Sequence, residues 1–236
     1  MRMVHRVDGP IGVYRGEDDG SDRKIWEVNH DLATATVFQS HYSLNKHLEL
    51  GFEFLNPTVI PNSVNPFIFH PRGRLAISDG NRKIKIIATS WSDNPRKGGP
   101  IYQWLEENLD WNRYEFTFVG RTKTSFKRVN HIPPCPSETL AGILRQHDIY
   151  ITASQDDPCS NALIEALACG LPAVYLNSGG HPELVGAGGC GFSAPEEALS
   201  AINIIADNYA GYQSQIHVTP MSEVALRYLC VLMGNA

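Results

Sequence analysis

The sequence predicts an α/β protein built on a doubly wound parallel sheet, and three observations carry that reading. Short apolar runs bounded by turn residues, such as KIKIIAT and DIYITAS, alternate with amphipathic stretches, as parallel strands do with their crossover helices. From Lys83 to Asn208 the order is strand, helix, strand, strand, helix, strand, helix, strand, helix. A chain of 236 residues is also long enough to bury a sizeable core as one large or two small domains.

Strands are expected at Thr58–Ile60, Lys83–Thr89, Tyr114–Val119, Arg128–Ile132, Asp148–Thr152 and Ala173–Leu176. Each is a β-branched or aromatic run closed by polar or Gly/Pro punctuation. Helix periodicity places helices at His41–Leu50, Pro100–Leu109, Ser137–Gln146, Asn161–Cys169 and Pro195–Asn208, and a terminal helix at Ser222–Met233. The stretch NSVNPFIFHPRGRLAISDGNRK is rich in Pro, Gly and Asn and reads as a linker. The expected division is therefore an α/β unit at 1–66, a linker at 67–82, a Rossmann-like unit at 83–215 and a C-terminal helix at 216–236.

A net charge of −5 argues against the basic field of a nucleic-acid binder. The five cysteines form no CxxC pair, so neither a disulfide framework nor a zinc site is indicated, and a reducing cytoplasm fits best. No run approaches the roughly 20 apolar residues of a membrane span, and MRMVHRVDGP lacks a signal-peptide core.

GAGGCG (Gly186–Gly191) satisfies the GxGxxG fingerprint in letters but not in context. HPELV before it reads as a short helix, and FSAP after it breaks any helix; a Gly-rich surface turn is expected. An NAD-dependent oxidoreductase would rest on this stretch alone.

Three clusters fall where a doubly wound sheet binds ligands, at the carboxyl ends of strands. In DPCSNALIE, Asp157 follows the strand DIYITAS, a helix opens near Ser160 or Asn161, and Glu165 lies a turn inside it. The free amides near Ser160 and Asn161, with the helix dipole, suit a phosphate. Carboxylates accept from vicinal hydroxyls such as those of a sugar. The plainer alternative is a turn residue and a solvated helix charge. SDNPRKGGP follows the strand KIKIIAT and brings Arg96 and Lys97 to the same rim, where a fixed cation would meet a departing diphosphate. SGGHPELV places Gly179 and Gly180 after a third strand, for close backbone approach, with a structural role expected for Glu183.

In this order the three clusters resemble the group 1 glycosyltransferases of the GT-B fold, the retaining family four enzymes. DPCSNALIE matches the family's acid-x7-acid motif, RKGG its Lys-Gly pair, SGGHPELV its Gly-Gly-x-x-Glu turn and VIPNSVNPFIFHP its linker. The resemblance runs from His5 to about Tyr209. It implies a GT-B-like architecture: a Rossmann-like C-terminal nucleotide-binding domain and a partial N-terminal α/β domain. It implies that Glu165 holds the donor ribose, Asp157 the donor sugar, and Lys97 with Arg96, Ser160, Asn161, Gly179 and Gly180 the rest of a nucleotide-diphosphate sugar. Asp8 and His5, in HRVDGP, are the candidates facing the cleft from the first domain, so the catalytic set is Asp157, Lys97, Asp8 and His5.

The activity implied is retaining hexosyl transfer to a saccharide or lipid-linked acceptor in polysaccharide or glycoconjugate synthesis. The protein would be cytoplasmic, with peripheral membrane association an option. No cofactor or metal is expected, since fixed cations can serve the diphosphate. The alternative is a nucleotide-sugar-binding module or fragment without transfer activity. Two departures stand out: Trp91 occupies the place of a second phosphate-binding Arg, leaving that charge to Arg96 or Arg121, and Cys159-Ser160 replaces the usual Phe-Gly. Only 61 residues precede Asn62, so the first strands and acceptor loop of a GT-B first domain are expected to be missing, with poor transfer and an exposed, association-prone sheet edge.

Overall fold

The computed structural model describes residues 2–76 and 82–234; residues 77–81 of the expected linker, Met1 and 235–236 lie outside the described residues. The first part of the chain runs β1 (Val4–Val7), α1 (Ile11–Arg15), α2 (Ser21–Leu32), β2 (Ala35–Phe38), α3 (His41–Glu49) and β3 (Pro57–Val59). Its strands form a parallel sheet of order β1-β2-β3. The second part runs β4 (Ile84–Ser90), α4 (Gly99–Asn108), β5 (Tyr114–Gly120), β6 (Asn130–Ile132), α5 (Ser137–Arg145), β7 (Ile149–Thr152), α6 (Asn161–Ala168), β8 (Ala173–Leu176), α7 (His181–Val185), β9 (Gly189–Phe192), α8 (Pro195–Asp207), α9 (Tyr209–Ser214) and α10 (Met221–Met233).

The second sheet is parallel throughout, in the order β6-β5-β4-β7-β8-β9. Both faces must then be covered, which is why its central strands read as unbroken apolar runs. Ile86, Ala88, Ile149 and Ile151 pack under Leu105 of α4 and Ile202 and Ile205 of α8. Ile87, Val119 and Tyr150 face the other way, against Leu140 and Leu144 of α5 and Leu163 and Leu167 of α6. Burying each such side chain contributes about 1.5–3 kcal/mol.

Strand order reverses between β4 and β7: β5 and β6 extend the sheet one way, β8 and β9 the other. That crevice is the switch point at which an open α/β sheet takes its ligand.

The first sheet packs Val7 and Phe38 against Phe54, Ile25, Trp26 and Leu44. Its other face, with Ala35, Val37 and Ile60, is covered by Val224 and Val231 of α10. The last helix therefore returns to the first sheet, where Arg227 donates to the Val59 carbonyl at 2.6 Å. Among the described residues no helix is long and apolar enough to cross a membrane.

Two features differ from expectation. The elements β1, α1, α2 and β2 were not legible: the strands have four residues each, and α2 buries only Asp22 and Asn29, so its period is masked by polar residues. GAGGCG is not a plain surface turn, because only Gly186–Gly188 form a 3-10 turn while Gly189–Phe192 pair with β8 as an edge strand. Glycines lack the apolar alternation that marks a strand, and pairing with β8 supplies what the pattern omits.

Candidate functional site

The loop after β4 and the loop after β7 meet at the switch point. Pro95–Lys97 form a 3-10 turn in which the Asn94 side chain accepts from the Arg96 amide at 2.9 Å. Gly98 then turns the chain at φ +91°, and a Cβ there would lie 2.7 Å from that of Ala153, so only glycine lets the two loops touch. The contact brings Lys97 Nζ to 2.8 Å from Asp157 Oδ2, with Asp157 only 13 % exposed. Ser154 Oγ lies 3.4 Å from the same oxygen.

The third loop holds Asp157 by its backbone. The Gly180 amide donates to the Asp157 carbonyl at 2.9 Å. At Gly179, φ is +65° and a side chain would collide with that carbonyl oxygen. Gly179 and Gly180 line none of the cavities described below. Their close backbone approach is to Asp157 and Pro158, which packs the third loop on the second.

Ser160 caps α6, its hydroxyl accepting from the Leu163 amide at 3.4 Å. A cavity of about 230 Å³ opens before this helix end, lined by Trp91, Lys97, Ser154, Asp157, Ser160 and Asn161. It shares Lys97, Ser90 and Ser92 with a cavity of about 290 Å³ on the β5 side. On its other side Asn161 is shared with a cavity of about 440 Å³ that Glu165, Arg6, Asn62 and Tyr228 also line. Glu165 Oε2 is buried without a partner, and burial pushes its carboxyl up to about 7. A buried unpartnered oxygen costs stability until a donor meets it, so it is suited to a ligand hydroxyl.

A polar chain crosses from the first sheet. Asp8, at the end of β1 and 60 % exposed, pairs with Arg6 at 2.9 Å and accepts from the Gln39 amide. Gln39 accepts from Asn62 at 2.9 Å, and Asn62 donates to Asn161 Oδ1 at 2.8 Å. Asp8 is thus linked through Gln39 and Asn62 to Asn161 at the start of α6, whereas His5 is not. Its Nδ1 lies 3.1 Å from the Asn29 amide of α2, which also donates to Thr36. That is a correction: alternation along β1 sends His5 toward α2.

Arg96 meets a different carboxylate from Lys97. Its guanidinium pairs with Asp156, which also accepts from the Tyr42 hydroxyl at 2.8 Å, and it lines neither cavity beside Lys97. Glu183 accepts from the amides of His41 and Tyr42, both at 2.9 Å, so it caps α3 of the first sheet. Tyr42, Asp156 and Gln39 carried no signal in the sequence, since each acts through a partner far along the chain.

With this geometry in view, residues 124–208 match the family described as Glycosyl transferases group 1. The match covers about a third of the chain and is a likeness of that segment to the family. The family match contains Asp157, Glu165, Gly179, Gly180 and Glu183; Lys97 and the first sheet lie before it. No curated protein sequence matches the chain.

Solved structures extend the likeness. HepE of Anabaena, in complex with UDP and glucose, aligns over 98 % of this chain and 71 % of its own, with TM-score 0.77 and 16 % identity. Sucrose-phosphate synthase of Thermosynechococcus elongatus aligns over 98 % and 67 %, with TM-score 0.75 and 17 % identity. TarM aligns over 98 % and 50 %, with TM-score 0.73 and 14 % identity. The chain thus spans half the length of TarM. At such identities the likeness establishes the fold, a GT-B arrangement of two α/β units.

Proposed function

We propose that the chain binds a nucleotide-diphosphate sugar across the switch point of the second sheet and transfers the sugar, with retention of configuration, to a saccharide or lipid-linked acceptor at the cleft. The observation that carries this reading is the run of cavities from Lys97, past the start of α6, to the unpartnered oxygen of Glu165. Their order matches the order of groups in the donor. Glu165 accepts from the ribose hydroxyls, the α6 amides and Lys97 meet the diphosphate, and Asp157 accepts from the donor sugar. The solved structures of HepE with UDP and glucose, and of TarM with fondaparinux, alpha-GlcNAc-glycerol and UDP, support a nucleotide donor and a saccharide acceptor.

In the reaction the bond from the anomeric carbon to the β-phosphate oxygen breaks, and its electron pair leaves with the diphosphate. Lys97 stabilises that growing charge. The acceptor oxygen bonds to the anomeric carbon and loses its proton to a base, for which Asp8 is the carboxylate at the cleft. Polysaccharide or glycoconjugate synthesis in the cytoplasm is the setting this chemistry suits.

A thermal-shift panel of UDP-, GDP- and ADP-sugars tests binding, since stabilisation grows with ligand concentration over Kd. Mass spectrometry of products with each stabilising donor then tests transfer. No stabilisation by any donor would reject the reading, and stabilisation without product would leave a donor-binding module.

A further inference from the structure

We infer that Arg121, and not Arg96, supplies the second cation for the donor diphosphate; this deepens the donor-binding reading and rests on it. The two cavities that share Lys97 are lined by three cations, Lys97, Arg121 and Lys123, and two acids, Asp93 and Asp157. Lys97 is matched by Asp157 at 2.8 Å, and Lys123 faces Asp93 at 3.7 Å. Arg121 has no ion pair or side-chain hydrogen bond among the described residues, so it is the uncompensated charge of this groove. A diphosphate brought beside Lys97 meets a site whose nearest cation is already neutralised, and Arg121 makes the field there positive.

Its placement is fixed by the sheet. Ser90 of β4 pairs with Gly120 of β5, and the Arg121 amide donates to the Ser90 carbonyl at 2.8 Å. The backbone at Arg121 is therefore tied to the end of the strand that leads to Lys97. A guanidinium also presents paired donors that match two phosphate oxygens, where an ammonium offers a point charge. Arg96 is excluded from this role by its pairing with Asp156 and its absence from both cavities.

The test is calorimetric binding of UDP, GDP and ADP, each against its parent nucleoside, to the wild type and to Arg121→Ala, Arg121→Lys and Arg96→Ala. Arg121→Ala should weaken the diphosphate that binds best by about 10- to 100-fold while the nucleoside changes by less than about twofold. Arg121→Lys should recover part of the loss, and circular dichroism should be unchanged, Arg121 being exposed. Diphosphate affinity within about twofold of wild type, an equal loss for diphosphate and nucleoside, or a diphosphate-selective loss confined to Arg96→Ala would each overturn the inference. Failure of the wild type to bind any of the three diphosphates would reject the donor-binding reading itself, and this inference with it.

Discussion

Lys97 and Asp157, 60 residues apart in sequence, form a 2.8 Å ion pair across the point where the strand order of the second sheet reverses. Each residue ends the loop of a different strand, and Gly98 makes their meeting sterically possible. The pair sets the resting charge of the groove near zero on this side, and it holds both groups where a sugar diphosphate would part.

Lys97→Ala is expected to lower kcat by about a hundredfold, with a smaller change in donor KM, because the charge it meets is largest as the diphosphate departs. Steady-state kinetics with the donor that stabilises the protein best is the check. A change in KM alone would make Lys97 a uniform binding residue.

Glu165 gives a prediction on pH. Its carboxyl titrates near 7 in the fold against 4.5 as the ordinary value, because burial disfavours the charge. The folded state therefore binds the proton more tightly, so the contribution to stability is full below 4.5 and is lost as pH rises through about 7. Glu165→Gln should leave stability unchanged near pH 4.5 and raise it by about 1–3 kcal/mol at pH 8. The same change should weaken donor binding at pH 8, and Glu165→Ala should weaken it by about 1.5–3 kcal/mol. Urea denaturation at the two pH values and calorimetry at the upper one test both halves; an equal stability gap at both would contradict the burial argument.

Gly179→Ala should cost roughly 2–4 kcal/mol, because strain at positive φ adds to a collision with the Asp157 carbonyl. Gly20→Ala also places a side chain at positive φ, +76°, in the left-handed helical region but into open space, and should cost about 1 kcal/mol. Thermal unfolding of the two variants separates collision from strain. Similar losses would show that the loop around Asp157 yields freely.

Glu183→Ala should remove about 1–2 kcal/mol of stability, since its carboxylate caps two amides at the start of α3. Nucleotide affinity should stay within about twofold, because the group serves the contact between the two units rather than the donor groove. A folded variant that no longer binds nucleotide would place Glu183 at the ligand instead.

The sequence by itself determined the elements of the second sheet from β4 to β8, since an apolar run or a helix period is a local property that survives in one chain. It also determined that Asp157, Glu165 and Lys97 lie at strand or helix ends, because the spacing of DPCSNALIE and RKGG fixes their place in those elements. What only the tertiary structure decided is which partner each charge meets. Arg96 and Arg121 are indistinguishable as letters, yet one is paired with Asp156 and the other has no partner in the groove. His5 and Asp8 stand three apart on one short segment, yet His5 meets Asn29 of α2 while Asp8 accepts from Gln39. The periodicity of α10 is plain, but its return to β2 and β3 is not, because nothing local records which sheet has an uncovered face. Such outcomes depend on contacts between segments tens of residues apart, and those contacts are chosen by packing and charge in the assembled fold rather than by neighbours along the chain.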